Sequence, residues 1–128
     1  MGAVALDADV LIAFLDASDD QHQRAIDLLR PRLAAGGRIV IAASVYAEIL
    51  VHPLKRGSDQ AIDDFLAAIG ADVVAVDRDI ARRAAQLRAT HRSLRLPDAL
   101  SLATAHATKA DLLTLDQRLQ KIARRTSA

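Results

Sequence analysis

Acidic side chains stand at several points of the chain where regular structure begins or ends. They are Asp7, Asp9, Asp98 and Asp116, and Glu48 joins them from within a predicted apolar helix. Each of the four aspartates taken alone is explained by capping a helix or by lying in its first turn. Carboxylates gathered at one edge of a sheet repel one another, however, and are tolerated best around a divalent cation. Oxygen ligands favour Mg²⁺ or Mn²⁺, and such a site suits phosphoryl chemistry.

Glu48 is the only glutamate in the chain, whereas the other 15 acidic residues are aspartate. Glutamate is the better helix former, so a helical protein would normally use it more often. Three apolar residues flank Glu48 on each side, and Ser44 lies four residues earlier. A capping box requires a spacing of three, so it does not explain Glu48. We therefore expect a charge on a mostly buried helix, paired or bound to metal, with a solvated helix stripe as the alternative.

Four short apolar runs alternate with helical segments and predict the fold class. They are 4–6, 38–42, 72–76 and 112–115. Strands separated by helices predict an α/β fold with a parallel sheet covered on both faces. Ligands bind outside the carboxyl ends of such strands, and Asp7 and Asp116 each follow a strand. Ser44 follows the second strand and is predicted to cap the helix after it.

Composition limits the remaining classes. A chain of 128 residues, 52% apolar and 26% charged, predicts one folded domain over 1–128. The absence of cysteine excludes disulfides, thiolate zinc sites and thiol chemistry. No apolar run is long enough to span a bilayer and no basic segment opens the chain, so we expect a cytoplasmic protein without a membrane partner. Aromatic residues make up only 2%, so a nucleic acid would be held mainly by arginine and backbone amides.

Arginines are concentrated in one segment although the net charge is only +1. Residues 78–95 contain six arginines and one aspartate. This asymmetry indicates an anionic partner, although a solvated helix face shows the same pattern. The candidate contacts are Arg82, Arg83, Arg88, Arg92 and Arg95.

Four segments of the sequence together resemble PIN-domain nucleases, and among them the small VapC-type toxins of bacterial toxin–antitoxin systems. They are Leu6-Asp7-Ala8-Asp9-Val10-Leu11-Ile12-Ala13, Ser44-Val45-Tyr46-Ala47-Glu48-Ile49-Leu50, Leu96-Pro97-Asp98-Ala99-Leu100 and Leu113-Thr114-Leu115-Asp116. These segments extend over nearly the whole chain and occur in the family's order. The resemblance implies a PIN-like three-layer α/β/α sandwich with a central parallel sheet.

The resemblance also implies a site and an activity. The implied catalytic residues are Asp7, Glu48, Asp98 and Asp116. Asp7, Asp98 and Asp116 would hold Mg²⁺ or Mn²⁺, Glu48 would orient water or act as a base, and Thr114 would support Asp116. The implied reaction is metal-dependent endonucleolytic cleavage of RNA, with the arginines of 78–95 on the RNA or on a protein partner. A homodimer and a cognate antitoxin that masks the site are implied as well.

Two departures from the family pattern matter. Asp9 stands where many relatives have a small neutral polar residue, and it would add a metal ligand. The last residues, 124–128, lie where relatives often place another strand. The sequence leaves open whether the sheet has this last edge strand. The Ala- and Leu-rich segment 99–107 predicts either a dimer surface or plain core.

Two other functions remain open on the sequence. The Asp-x-Asp pattern at Asp7 and Asp9 resembles haloacid-dehalogenase-like phosphatases, in which Asp7 would be a nucleophile and Asp9 an acid–base group. That alternative leaves Glu48 and Asp98 without a role. The other alternative is a catalytically inactive PIN-like module that acts through its partner alone.

Overall fold

The structure is a computed structural model that describes residues 2–126. Within this range, four strands alternate with seven helices along the chain. The strands are β1 (Ala3–Leu6), β2 (Ile39–Ala42), β3 (Ala71–Val74) and β4 (Ala110–Leu113). The helices are α1 (Ala8–Leu15), α2 (His22–Ala35), α3 (Ala43–Arg56), α4 (Asp59–Ala68), α5 (Arg78–Thr90), α6 (Leu96–Ala107) and α7 (Gln117–Thr126).

The four strands form one parallel sheet in the order β3-β2-β1-β4. Ala5 of β1 lies opposite Val40 on one side and Leu112 on the other. The carboxyl ends of β1, β2 and β4 therefore meet at one edge of the sheet. The central strands β1 and β2 are almost entirely buried, whereas β3 and β4 at the two borders are partly exposed. The predicted parallel α/β sheet is confirmed.

Helices cover both faces of this sheet because side chains alternate along each strand. Val4 and Leu6 pack with α1, α2 and α3 in one buried cluster, which includes Leu11 and Leu29. Ala5 points to the other face, where α6 lies. The helices α5, α6 and α7 form a second buried cluster on that side. The arrangement is the predicted α/β/α sandwich.

Several boundaries differ from the sequence-based prediction. The Asp19-Asp20 pair in the sequence predicts a helix start, but α2 begins only at His22. Ser44 does not cap α3, because the helix already begins at Ala43; instead, the Ser44 hydroxyl is buried without a hydrogen-bond partner among the described residues. The last strand starts and ends two residues earlier than predicted, so Thr114 lies just beyond it.

The segment 99–107 belongs to the interior of the protein. Ala99 and residues 101–105 of α6 are buried within the chain. Segment 99–107 therefore belongs to the hydrophobic core, and its burial does not support a dimer surface on this helix. Of the terminal segment 124–128, residues 124–126 continue α7, and Ser127 and Ala128 lie outside the described residues. Over residues 2–126, no helix combines the length and the apolar character that crossing a membrane requires.

Gly37 lies where a side chain has no room. A Cβ atom at this position would lie 2.5 Å from the backbone oxygen of Gly2. We expect Gly37→Ala to lower the free energy of unfolding by about 1–3 kcal/mol, because backbone must shift. Gly2→Ala is the matched control, since its Cβ would make only an ordinary contact at 4.0 Å. Urea unfolding of both variants measures the difference, and equal midpoints would contradict the prediction.

Candidate functional site

Asp7 is held rigidly at the carboxyl end of β1 by three different elements. Its Oδ1 caps α1 by accepting from the Ala8 backbone nitrogen at 2.9 Å, and it also accepts from the Ser101 hydroxyl of α6 at 3.2 Å. Its Oδ2 accepts from the Thr114 hydroxyl at 2.9 Å. The residue is only 7% exposed. The Asp7 side chain thus both caps α1 and lies in the candidate site.

Asp9 lies beside Asp7 on the side of β4. Its Oδ2 accepts from the Thr114 hydroxyl and from the Leu115 backbone nitrogen, both at 3.1 Å. Its Oδ1 is buried and has no hydrogen-bond partner among the described residues. A buried carboxylate oxygen without a partner is energetically unfavourable. Asp9 therefore presents an unsatisfied anionic acceptor at this edge.

Thr114 connects the carboxylates of the two ends of the chain. Its hydroxyl has one hydrogen, so it donates to Asp7 or to Asp9 at any one time. Its oxygen also accepts from the Asp116 backbone nitrogen at 3.2 Å. The Asp116 carboxylate then caps α7 by accepting from the backbone nitrogens of Arg118 and Leu119. The capping interpretation of Asp116 is correct, and Thr114 links that residue to Asp7 and Asp9.

Asp98 enters the same edge from the first turn of α6. Its side chain is 17% exposed, and its Oδ2 lies 3.7 Å from Nε of Arg95. Because the Arg95 side chain is 82% exposed, solvent screens this ion pair and its contribution to stability is small. Asp98 is therefore only partly neutralised by its protein neighbours.

Glu48 lies on an exposed part of α3, contrary to the expectation of a mostly buried helix. Only Val45 and Ile49 of that helix are buried, because α3 packs on the sheet through one stripe. The Glu48 carboxylate nevertheless interacts electrostatically with Asp98, Arg95 and Asp9. It faces the other acids from the solvent side of the edge.

The pKa values show that these acids influence one another. Burial, followed by the charge of Asp9, raises the pKa of Asp7 to about 6, and Asp98 adds to the rise. Burial also raises the pKa of Asp9, with a further contribution from Asp116. Burial and then the Asp98 charge raise the pKa of Glu48. The five carboxylates thus form one electrostatically connected cluster, in which Arg95 offsets only part of the negative charge.

The donor set of this cluster fits Mg²⁺ or Mn²⁺. All of its side-chain donors are carboxylate or hydroxyl oxygens, and the free Oδ1 of Asp9 is an acceptor that a cation satisfies. Across residues 2–126, no group of three or more histidine or acidic side chains is placed to hold a metal ion by itself. Mg²⁺ does not require such a group, because it keeps several waters and takes one or two protein carboxylates together with substrate phosphate.

The predicted arginines do not all lie near the acids. Arg95 lies beside Asp98, and Arg88 donates to the Leu94 backbone oxygen just before α6. Arg83 instead donates to Nδ1 of His106 at the far end of α6, away from the acids. Arg82 and Arg92 are exposed. Of the five predicted arginines, Arg88 and Arg95 are the two that a contact places near the start of α6.

An open groove of about 410 Å³ borders two of the acids. Asp9 and Asp116 form one side of it, and Ile12, Gln21 and Arg24 contribute to the rest of its lining. A larger cavity of about 680 Å³ lies at the opposite edge of the sheet and contains none of the five acids. Because chemistry requires the acids, we regard the smaller groove as the substrate-binding concavity.

Ser101 was missed by the sequence analysis. It is buried in α6 and donates to Asp7, which the chain separates from it by 94 residues. The available signal was its spacing of three residues from Asp98, which places both side chains towards one side of the helix. That spacing does not reveal Asp7 as the partner, because the contact depends on how α6 packs against β1.

Thr114→Val is expected to weaken the site without disrupting the core. The substitution preserves shape but removes the donor shared by Asp7 and Asp9. We expect Mn²⁺ affinity to fall roughly 10–100-fold, the usual effect of losing a group that orients ligands. Thr104→Val is the matched control, because the Thr104 side chain is equally buried and bonds only the Leu100 backbone oxygen. Equal Mn²⁺ affinity of the two variants would show that Thr114 has no special role.

The chain was compared with known proteins. A family model described as PIN domain matches residues 4–125. A toxin–antitoxin complex from Klebsiella pneumoniae contains a chain 25% identical to this one, with a TM-score of 0.71 and coverage of 90% of this chain and 88% of that chain. VapC20 from Mycobacterium tuberculosis, a toxin that cleaves the sarcin–ricin loop, is 18% identical, with a TM-score of 0.71 and coverage of 92% and 93%.

A further structural neighbour is VapBC2 from Rickettsia felis, bound to a DNA fragment from its promoter. It is 20% identical, with a TM-score of 0.72 and coverage of 94% of this chain and 92% of that chain. No curated protein sequence matches the chain. The family model extends over nearly all of the described residues, and the structural neighbours include VapC proteins, so the resemblance drawn from the four sequence segments is confirmed. The chain belongs to the PIN domain family.

Proposed function

We propose that this protein is a metal-dependent endoribonuclease and the toxin of a toxin–antitoxin pair. The observation that carries the proposal is the coupled cluster of Asp7, Asp9, Glu48, Asp98 and Asp116 at the carboxyl edge of a PIN-family sheet. Two of the structural neighbours add support, because one is a toxin–antitoxin complex and the other is a toxin that cleaves the sarcin–ricin loop.

The residues have distinct roles in this proposal. Of Asp7, Asp98 and Asp116, one or two would hold Mg²⁺ or Mn²⁺ directly and the rest through water, with the unpaired Oδ1 of Asp9 as an additional acceptor. When bound, the metal neutralises the phosphate and makes a coordinated water more acidic. Thr114 and Ser101 hold the Asp7 carboxylate in one orientation.

Glu48 acts as the general base in this proposal. Its carboxylate faces the cluster but is open to solvent, so a substrate and a water can reach it. Its pKa is raised by burial and by the Asp98 charge, which makes it a better proton acceptor than an ordinary glutamate. Arg95 stabilises the ionised form of Glu48 and lies where it can contact a phosphate near Asp98.

A phosphatase mechanism is disfavoured by the position of Lys109, the lysine before the Asp116 segment that the phosphatase resemblance includes. That mechanism places the lysine near Asp7, whereas Lys109 directly precedes β4 and so lies at the opposite edge of the sheet. It would also leave Glu48 and Asp98 without a function. A catalytically inactive module is disfavoured by the presence of all five acids at one edge.

The proposal extends to partners and location. A toxin–antitoxin complex among the structural neighbours supports a cognate antitoxin as partner, and in this proposal that antitoxin covers the acidic edge. We include a homodimer, on the family resemblance alone, and action in the cytoplasm, where the proposed RNA substrates are. Sedimentation of the purified chain at micromolar concentration tests the dimer, and a monomer there would remove that part.

The choice between nuclease and phosphatase is tested by offering both substrates to the same sample. A pool of structured cellular RNAs and a small phosphate monoester are each incubated with Mg²⁺, with Mn²⁺ and with EDTA. We expect discrete internal RNA fragments with either metal, none in EDTA, and no turnover of the monoester. Turnover of the monoester without RNA cleavage would instead establish the phosphatase.

A further inference from the structure

The last helix, α7, carries a concentration of positive charge that the sequence analysis did not use. It contains four lysine or arginine residues and no acidic residue. Arg118, Lys121 and Arg125 are spaced by three and four residues, so they share one helix face, and all three are exposed. We call these three residues the α7 stripe. Arg124 lies apart from it, in the lining of a different cavity.

The opposite face of α7 fixes the direction of the α7 stripe. Leu119 and Ile122 are buried in the cluster shared with α5 and α6. The Gln120 side chain donates to the Thr114 backbone oxygen at 2.7 Å, and the Thr126 hydroxyl lies 3.3 Å from Nε2 of His106. The helix is thus anchored at both ends, and its basic face is held outward rather than free to rotate.

The α7 stripe begins at the acidic site. Asp116, one of the five acids, is the residue whose carboxylate caps α7 through the backbone nitrogens of Arg118 and Leu119. The stripe runs from this point towards His106 at the end of α6. A polyanion whose reacting phosphate lies at the acids can therefore continue from Asp116 along α7 and reach the stripe.

The α7 stripe differs from three of the six arginines in 78–95, which are engaged within the protein. Arg83 donates to His106, Arg88 donates to the Leu94 backbone oxygen, and Arg95 is paired with Asp98. Within residues 2–126, no side-chain hydrogen bond or ion pair involves Arg118, Lys121 or Arg125. Their charges are therefore available to an external anion.

We propose that the α7 stripe binds the phosphates of the RNA strand on the Asp116 side of the cleavage site. The inference rests on the proposed nuclease function and assigns the exit path of its substrate. Charge complementarity and continuity with the acids favour RNA over other polyanions, because the same strand must also reach the acidic edge. Phosphate contacts position the strand without reading its sequence.

The test measures the salt dependence of RNA binding by the full chain in EDTA, where no cleavage is expected. The probe is a labelled single-stranded RNA of about 16 nucleotides, titrated between about 50 and 200 mM NaCl. The variant is Lys121→Gln/Arg125→Gln. We expect its slope of log affinity against log salt to be smaller than that of the wild type by about 1.4, or about 0.7 per lost phosphate contact.

The matched control is Arg30→Gln/Lys109→Gln, which also removes one arginine and one lysine. Lys109 precedes β4, and Arg30 is close in sequence to Arg32, which pairs with Asp111 at the start of the same strand. Both therefore lie away from the acids, and the control should keep the wild-type slope. Thermal melting of each variant confirms that these exposed substitutions leave the fold unchanged.

The outcomes separate this inference from the proposed function. Unchanged slopes, or equal changes in variant and control, overturn the α7 stripe even if the wild type cleaves RNA. Binding of poly-glutamate by the same proteins is measured in parallel. If the variant loses poly-glutamate binding but keeps the wild-type RNA slope, the stripe binds an acidic protein segment and the proposal is overturned. A wild type that binds RNA through the stripe but never cleaves it with metal contradicts the proposed function alone.

Discussion

Replacing Asp98 with asparagine is expected to lower RNA cleavage by at least about 100-fold, the loss seen when one electrostatic stabiliser of a transition state is removed. Asp98 is a proposed metal ligand, and asparagine is neutral and a weaker donor. The side chain is partly exposed and its ion pair with Arg95 is weak, so little of the fold depends on it. Rates on a single RNA, measured with saturating Mg²⁺ or Mn²⁺, give the effect.

The stability change for Asp98→Asn should remain below about 1 kcal/mol, because only a favourable charge in the first turn of a helix is lost. Asp79→Asn is the matched control, since Asp79 lies in the first turn of α5 and outside the acidic cluster. Both variants should unfold at similar urea concentrations, and only Asp98→Asn should lose activity. Cleavage by Asp98→Asn at the wild-type rate would remove Asp98 from the site.

Replacing Asp7 with asparagine is expected to abolish cleavage and yet to stabilise the metal-free protein at neutral pH. The pKa of Asp7 is raised from 3.8 to about 6. An acid with a raised folded-state pKa contributes stability that is complete below pH 4 and lost as the pH rises through about 6. Above that pH the wild type carries a buried charge, whose neutralisation should raise the free energy of unfolding by about 1–3 kcal/mol.

Asparagine also preserves the hydrogen bonds of this position. Its oxygen can accept from the Ala8 backbone nitrogen, and its amide can donate to the Thr114 hydroxyl, which then donates to Asp9. Asp16→Asn is the control, because hydrogen bonds from Ser18 lower the pKa of the exposed Asp16 and no stabilisation is expected there. Urea unfolding in EDTA at pH 4 and pH 8 measures the effect. A destabilised Asp7→Asn protein at pH 8 would contradict this account of the site.

Much of the site follows from local sequence pattern, and the rest depends on packing. Asp7 and Asp116 stand at strand ends, and a parallel sheet brings those ends to one edge whatever the remaining sequence. The bond from Thr114 to Asp7 joins residues 107 positions apart. The two side chains meet only once β1 and β4 pair in register, so the hydrophobic periodicity of the sequence does not reveal this hydrogen bond.

The side chains that the sequence analysis misplaced depend on tertiary structure in the same way. Flanking apolar residues suggested a buried Glu48, but α3 packs through one stripe and leaves that residue in solvent. The density of arginines in 78–95 indicated an anionic partner or a solvated face, and the packing of α5 on α6 places Arg83 at one end of α6 and Arg95 at the other. Local sequence patterns identify the charged residues, but helix packing sets the direction in which their side chains point.

The most direct test of the central claim is a Mn²⁺ titration in which metal binding and RNA cleavage are followed in the same sample. Free Mn²⁺ is measured by electron paramagnetic resonance, and RNA fragments are measured at each metal concentration. We predict that binding and cleavage rise together in the wild type and that Asp98→Asn weakens both. RNA cleavage that persists in EDTA, or Mn²⁺ binding that Asp98→Asn leaves unchanged, would contradict the assignment of the carboxylate edge as the metal-dependent nuclease site.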